Sequence, residues 1–175
     1  MYRLPEFTES DPVVHVQEYL RHVVAYLHGV PPLALMRRPE GVSVKPPGCS
    51  KLMPHLDPKR EGTYQIVVAL THTAFLAFPK SHKKSDFAMP KAAGYYEVTK
   101  EEIQDLETTH DSRETLIPAS PGDVCLMLGG RVVHGSPATA PEAGVRICTY
   151  CHYVPTDTVM RRLGVFTEPW TRCFC

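Results

Sequence analysis

Over the first thirty residues the apolar positions fall at helical spacing. Val13, Val16, Leu20, Val23, Val24 and Leu27 form one stripe, which predicts an amphipathic helix over about 11–28. Ser10 or Asp11 can cap it, Pro12 suits its first turn, and Gly29 followed by Pro31-Pro32 ends it. Beyond that point the period shortens. β-branched and aromatic runs at 33–36, 41–45, 63–70, 74–78, 114–117, 124–128, 131–134 and 144–154 alternate with Pro, Gly, Ser and Asp, the pattern of short strands joined by turns. One small helix interrupts them, announced by the capping box Thr99-Lys-Glu-Glu102 and the apolar pair Ile103 and Leu106. Many short strands without a repeated βαβ unit predict a sandwich or jelly-roll and not a parallel sheet. The expected organisation is a single domain over 1–175, mainly β with flanking helices, with its core at about 33–154 and a tail at 155–175.

Composition narrows the class of protein. The chain of 175 residues is long enough to bury a substantial core, and its 19 basic residues match its 19 acidic ones. That balance lacks the strong positive field of a dedicated nucleic-acid binder. No apolar run approaches the ~20 residues of a membrane helix. The opening MYRLPEFTESD does not read as a signal peptide, so the expectation is a cytoplasmic protein with reduced thiols. Six cysteines include Cys148-x-x-Cys151 and Cys173-x-Cys175, a spacing that invites a zinc reading. Cys148 and Cys151 sit in one strand-like run, however, and residues three apart on a strand face opposite sides, which argues against a shared ion. His15, His22 and His28 within the first helix read as surface or boundary residues. The segment 80–91, with Lys80, Lys83, Lys84 and Lys91, reads as a solvated loop or as an attractor for an anionic substrate.

Candidate chemistry lies in two places. On an extended segment His55 and Asp57 share a face while Leu56 packs inward, so an imidazole and a carboxylate can meet one ion. Downstream, Pro121-Gly-Asp123 makes a tight turn before a strand, and His134-Gly135-Ser136 follows. Gly135 is expected to leave room for a ligand. Arg146 stands between Val145 and Ile147 on the next strand, where pairing is expected to bring it alongside His134; a buried arginine needs an anionic partner. Two histidines and a carboxylate are the ligands of the facial triad that holds Fe(II) with open positions. Lys45, Ser50, Tyr64 and Gln65 are candidates for lining the surrounding cavity.

His55-x-Asp57, Phe78-Pro-Lys-Ser-His82, Pro121-Gly-Asp123 and His134-Gly-Ser136 with Arg146 together resemble the phytanoyl-CoA dioxygenase-like branch of the Fe(II)/2-oxoglutarate oxygenases, over roughly residues 42–154. The resemblance implies a double-stranded β-helix (jelly-roll, cupin-like) core. It implies His55, Asp57 and His134 as iron ligands, and Arg146 and Ser136 as binders of the distal carboxylate of 2-oxoglutarate. The co-substrates would be 2-oxoglutarate and O2, with ascorbate as a reductant, and the substrate a small molecule hydroxylated as succinate and CO2 form. Asp57 aligns the chain with hydroxylases and not with the related halogenases, which lack that carboxylate. The chain departs from the family in its length, shorter than is common, in Pro-Lys-Ser-His where Pro-Gly-Ser-His is usual, and in a slightly longer interval from His134 to Arg146. Other readings of the same residues are a non-catalytic or cupin-type metal-binding module and an oxygenase directed at nucleic acid or protein.

Overall fold

The computed structural model describes residues 12–57, 64–84, 87, 96–128 and 130–155. The element order is α1 (Pro12–His28), β1 (Leu35–Lys45), β2 (Leu52–Leu56), β3 (Tyr64–Ala69), β4 (Thr73–Ala77), β5 (Tyr96–Glu97), α2 (Lys100–Thr109), β6 (Thr115–Ala119), β7 (Val124–Leu128), β8 (His134–Ser136) and β9 (Arg146–Pro155). Two antiparallel sheets, ordered β1-β9-β3-β7 and β5-β2-β8-β4-β6, face each other as a jelly-roll. The expected mainly-β architecture with flanking helices is what the chain adopts.

Each sheet is covered by one helix, and the alternation of side chains decides what faces outward. On the first sheet Ile66, Val68, Cys151 and Tyr153 pack against Val24 and Ala25 of α1. On the second, Leu56 joins Phe78, Val98, Val133 and Leu106 of α2. The opposite positions on the same strands, among them Gln65, Val67, Arg146, Cys148 and Tyr150, turn inward to a cavity between the sheets. Cys148 and Cys151 therefore lie on opposite faces of β9, as the strand reading requires. Cys173 and Cys175 lie outside the described residues. No helix among the described residues is long and apolar enough to cross a membrane.

The α1 stripe is rotated from the expected one. Gln17 is buried while Val16 and Leu27 are exposed. The Gln17 amide donates to Thr149 Oγ1 at 3.3 Å and its backbone carbonyl accepts the Tyr153 hydroxyl, so two polar groups of β9 fix which side of α1 faces the sheet. Gly29 ends the helix as expected: at φ 64° it lets Val30 N donate to Ala25 O at 3.0 Å. His15 and His22 are exposed, and the expected caps Ser10 and Asp11 lie outside the described residues.

Among the strand boundaries that differ from expectation, three bear on the site. Residues Pro32–Ala34 form a 3-10 turn, and a single long β1 replaces the two short runs. Its register shifts between Pro39 and Gly41, where the missing proline N–H is tolerated because β1 is an edge strand. Arg131 and Val132 bond back to Leu128 O as a turn, so β8 starts only at His134. The third is β2, whose Pro54 weakens any strand signal; the β2–β8 register shifts between Leu52 and His55 to accommodate it. The capping box on α2 is present with both of its hydrogen bonds, Glu102 N to Thr99 Oγ1 at 3.2 Å and Thr99 N to Glu102 Oε2 at 2.9 Å.

Gly135 is required by the fold. A Cβ there would lie 2.7 Å from the Leu52 carbonyl oxygen, a backbone atom that cannot step aside without parting β2 from β8. Gly135→Ala is expected to destabilise the protein by about 1–3 kcal/mol, the usual cost of overpacking a well-filled site. Urea unfolding checks this, and an unchanged midpoint would show that the two strands yield freely.

Candidate metal centre and anion pocket

His55 on β2 and His134 on β8 are directly opposed in register, their ring centroids 4.4 Å apart. Asp57 follows the end of β2. Its Oδ1 lies 4.0 Å from His55 Nε2 and its Oδ2 3.6 Å from His134 Nε2. The three donor atoms all fall within 4.8 Å of one another, close enough to share one ion. The local backbone sets the ring tautomers. Nδ1 of His55 donates to Met53 O at 2.8 Å, and Nδ1 of His134 donates to Val132 O at 2.9 Å. A carbonyl can only accept, so each Nδ1 carries the proton and each Nε2 keeps its lone pair toward Asp57.

The electrostatics fit a cation. Burial alone would raise the Asp57 carboxyl, but the neighbouring His152, His134 and His55 outweigh it and hold the group below the ordinary carboxylate range. Burial holds the His134 imidazole below its usual range, with the Asp57 charge working the other way. At neutral pH the pair is thus a carboxylate beside a neutral imidazole, the protonation state a metal requires. Asp57 Oδ2 is buried and no donor among the described residues reaches it within hydrogen-bond distance. A buried carboxylate oxygen left unsatisfied, with the Nε2 lone pair of His134 beside it and that of His55 beside the other oxygen, is the arrangement a metal ion would complete.

One residue of this site carries no sequence motif. His152, buried on β9, comes from the opposite sheet and brings Nε2 to 3.7 Å from Asp57 Oδ2. Its signal was its phase, since positions 146, 148, 150 and 152 share one face of the strand.

A second polar cluster lies in the same cavity, which encloses about 320 Å³. Lys45 on β1 and Arg146 on β9 are register partners, and both line it. Lys45 Nζ donates to Ser136 Oγ. Arg146 Nη2 donates to Pro137 O at 2.6 Å, while its buried Nε has no hydrogen-bond partner among the described residues. Burial first, and the Arg146 charge second, push the Lys45 ammonium below its usual range. No ion pair between Arg146 and a protein carboxylate is present among the described residues. A buried arginine beside a half-buried lysine, neither of them ion-paired with an acid among the described residues, leaves positive charge at this end of the cavity.

The route by which Arg146 arrives differs from expectation. β9 does not pair with β8; it joins the other sheet between β1 and β3, and Arg146 faces His134 and Ser136 across the cavity. Of the residues expected to line the cavity, Lys45 and Gln65 do so. Tyr64 packs toward α1 instead, and Ser50 is exposed. In the Lys80–Lys84 segment, Lys80 pairs with Asp111 at 2.6 Å and Lys84 with Asp105 at 2.7 Å. Those two charges are taken up by the protein's own acids, in keeping with the reading of a solvated loop; Lys91 lies outside the described residues.

Fold and site together define a jelly-roll domain whose central cavity holds a His-Asp-His donor cluster at one place and a cationic pocket at another. No protein-family model and no curated protein matches the chain. Solved structures do match it. SnoK, a non-heme alpha ketoglutarate dependent carbocyclase from nogalamycin biosynthesis, superposes with a TM-score of 0.62 at 17% identity, covering 91% of this chain and 68% of SnoK. AviO1 from Streptomyces viridochromogenes Tue57 gives 0.59 at 19% identity, covering 86% of this chain and 64% of AviO1. HygX from Streptomyces hygroscopicus, solved with nickel and 2-oxoglutarate bound, gives 0.53 at 17% identity, covering 87% of this chain and 71% of HygX. The chain thus spans about two thirds of the length of these proteins, and at such identities the likeness establishes the fold.

Proposed function

We propose that the protein is a non-haem Fe(II)- and 2-oxoglutarate-dependent oxygenase that hydroxylates a small organic substrate. The observation that carries this reading is the presence in one cavity of both a His-Asp-His cluster and the paired cations Lys45 and Arg146. SnoK and HygX, whose fold this chain shares, are named for or bound to the same co-substrate, which supports the assignment.

In this reading His55 and His134 offer Nε2 and Asp57 offers a carboxylate oxygen to Fe(II). His152 is a positioning residue that steadies the Asp57 oxygen it faces. Arg146 and Lys45 hold the distal carboxylate of 2-oxoglutarate, and Ser136, already hydrogen-bonded to Lys45, adds its hydroxyl. Bound Fe(II) would supply O2 activation coupled to oxidation of 2-oxoglutarate to succinate and CO2. Val67, Phe75 and Met127 give the cavity apolar walls beside these polar groups.

The balanced charge of the chain favours a small-molecule substrate over nucleic acid. The test is succinate formation from 2-oxoglutarate with Fe(II), ascorbate and O2, which is expected to be measurable and to rise with a true substrate. Mass spectrometry of that product distinguishes hydroxylation, a gain of one oxygen, from ring closure, a loss of two hydrogens. Absence of succinate together with absence of Fe(II) affinity would overturn the enzyme reading.

A further inference from the structure

We propose that Gln65 is the residue that recognises the organic substrate, and that the substrate presents to it a neutral group able to donate a hydrogen bond, a hydroxyl or a carboxamide. The proposal rests on the oxygenase reading above and names the substrate class of that site.

Gln65 sits in the middle of the first sheet, in register with Met127 on β7 and His152 on β9. It is only 9% exposed, and what remains exposed lines the cavity. Its Oε1 is buried, and no donor among the described residues reaches it. An apolar residue would fill this strand position at less cost, because a buried amide oxygen without a partner has lost its water and gained nothing. A ligand that donates to it resolves the discrepancy.

Two observations decide which ligand. Gln65 is the register partner of His152, whose Nε2 faces Asp57, and it is six residues along β9 from Arg146, so it stands at the metal-centre end of the cavity and not at the cationic end. The distal carboxylate of 2-oxoglutarate is therefore held elsewhere. Moreover, ionised 2-oxoglutarate has no donor hydrogen and cannot satisfy an amide oxygen. The remaining candidate is the substrate itself. Its polar group would be neutral, because Gln65 offers a dipole, Val67 and Met127 beside it are apolar, and the one charge near its register partner His152, Asp57, is in this reading committed to the metal. A side-chain amide carries one acceptor and two donors, which is complementary to a hydroxyl or a primary carboxamide.

The test uses the full chain loaded with Fe(II) and saturating 2-oxoglutarate, and follows succinate release against a panel of cyclitols, methyl glycosides and primary carboxamides, with matched carboxylic acids as controls. Stimulation by at least one neutral compound is expected. Gln65→Leu should then lower kcat/KM for that compound about 10-fold or more, the effect of one lost buried hydrogen bond. Its KM for that compound should rise by more than its KM for 2-oxoglutarate. Gln65→Asn, which keeps the amide, should recover part of the loss, as a purely structural role would not. Full retention of stimulation in Gln65→Leu overturns the proposal, as does a defect confined to 2-oxoglutarate KM. Substrate-free succinate formation with stimulation by acids alone, or by no compound of the panel, overturns the substrate class and leaves the oxygenase reading standing. No succinate under any condition overturns both.

Discussion

Asp57→Ala is expected to lose Fe(II) affinity by more than about 100-fold, since even residues that only support a metal ligand commonly cost 10–100-fold when removed. Asp57 supplies the only carboxylate among the described residues lining the cavity, and its two oxygens face the Nε2 atoms of His55 and His134 at 4.0 and 3.6 Å. His55→Ala should do the same from the other side of the cluster, and the two variants guard against a folding defect in either. The measurement is the rise in Tm on adding Fe(II) under anaerobic conditions. A metal at 100 times its Kd stabilises the folded state by about 2.7 kcal/mol, a shift that should vanish in both variants while metal-free circular dichroism remains native. His152→Ala should keep part of the shift, with affinity reduced about 10–100-fold, because it removes a neighbour of the ligand and not the ligand. A metal-dependent rise that survived Asp57→Ala at full size would place the ion elsewhere.

What the sequence made legible was local. The capping box of α2, the Gly29 stop of α1, the turn at Pro121-Gly-Asp123 and the shared face of His55 and Asp57 each depend on residues a few positions apart, and each is present. Sheet order is not local. Nothing near Arg146 specifies that β9 pairs with β1 and β3, so the simplest hairpin pairing placed it beside His134 when it stands across the cavity. The same gap hid Lys45: its meaning comes from being the register partner of Arg146, two strands brought together from 101 positions apart. Pro54 concealed β2 because a proline inside a strand argues against one unless a register shift absorbs it. Gln17 shifted the face of α1 because its polar partners, Thr149 and Tyr153, belong to a strand more than 130 residues away. His152 had no motif at all, and only the alternation along β9 connects it to Arg146.

The other large effect concerns the cationic end of the cavity. Arg146→Leu is expected to raise the 2-oxoglutarate KM about 10- to 100-fold, the range for losing charge-assisted hydrogen bonds worth roughly 1.5–3 kcal/mol, with Fe(II) affinity little changed. Arg146→Lys should recover little, because the ammonium cannot reproduce the planar fork that grips two carboxylate oxygens. Lys45→Met should give a smaller rise, and the double variant should depart from additivity because the two cations flank one site as register partners. The sign of the pH dependence follows from the same pair. Burial and the Arg146 charge lower the Lys45 pKa, so the ammonium is fully present at low pH and is lost as pH rises through a value below the ordinary lysine range. An incoming carboxylate favours the protonated form, so 2-oxoglutarate affinity should weaken on that alkaline limb and the limb should disappear in Lys45→Met. A 2-oxoglutarate KM in Arg146→Leu equal to that of the wild type would mean that the unsatisfied Nε serves some other anion, and that the two cations were gathered for a different ligand.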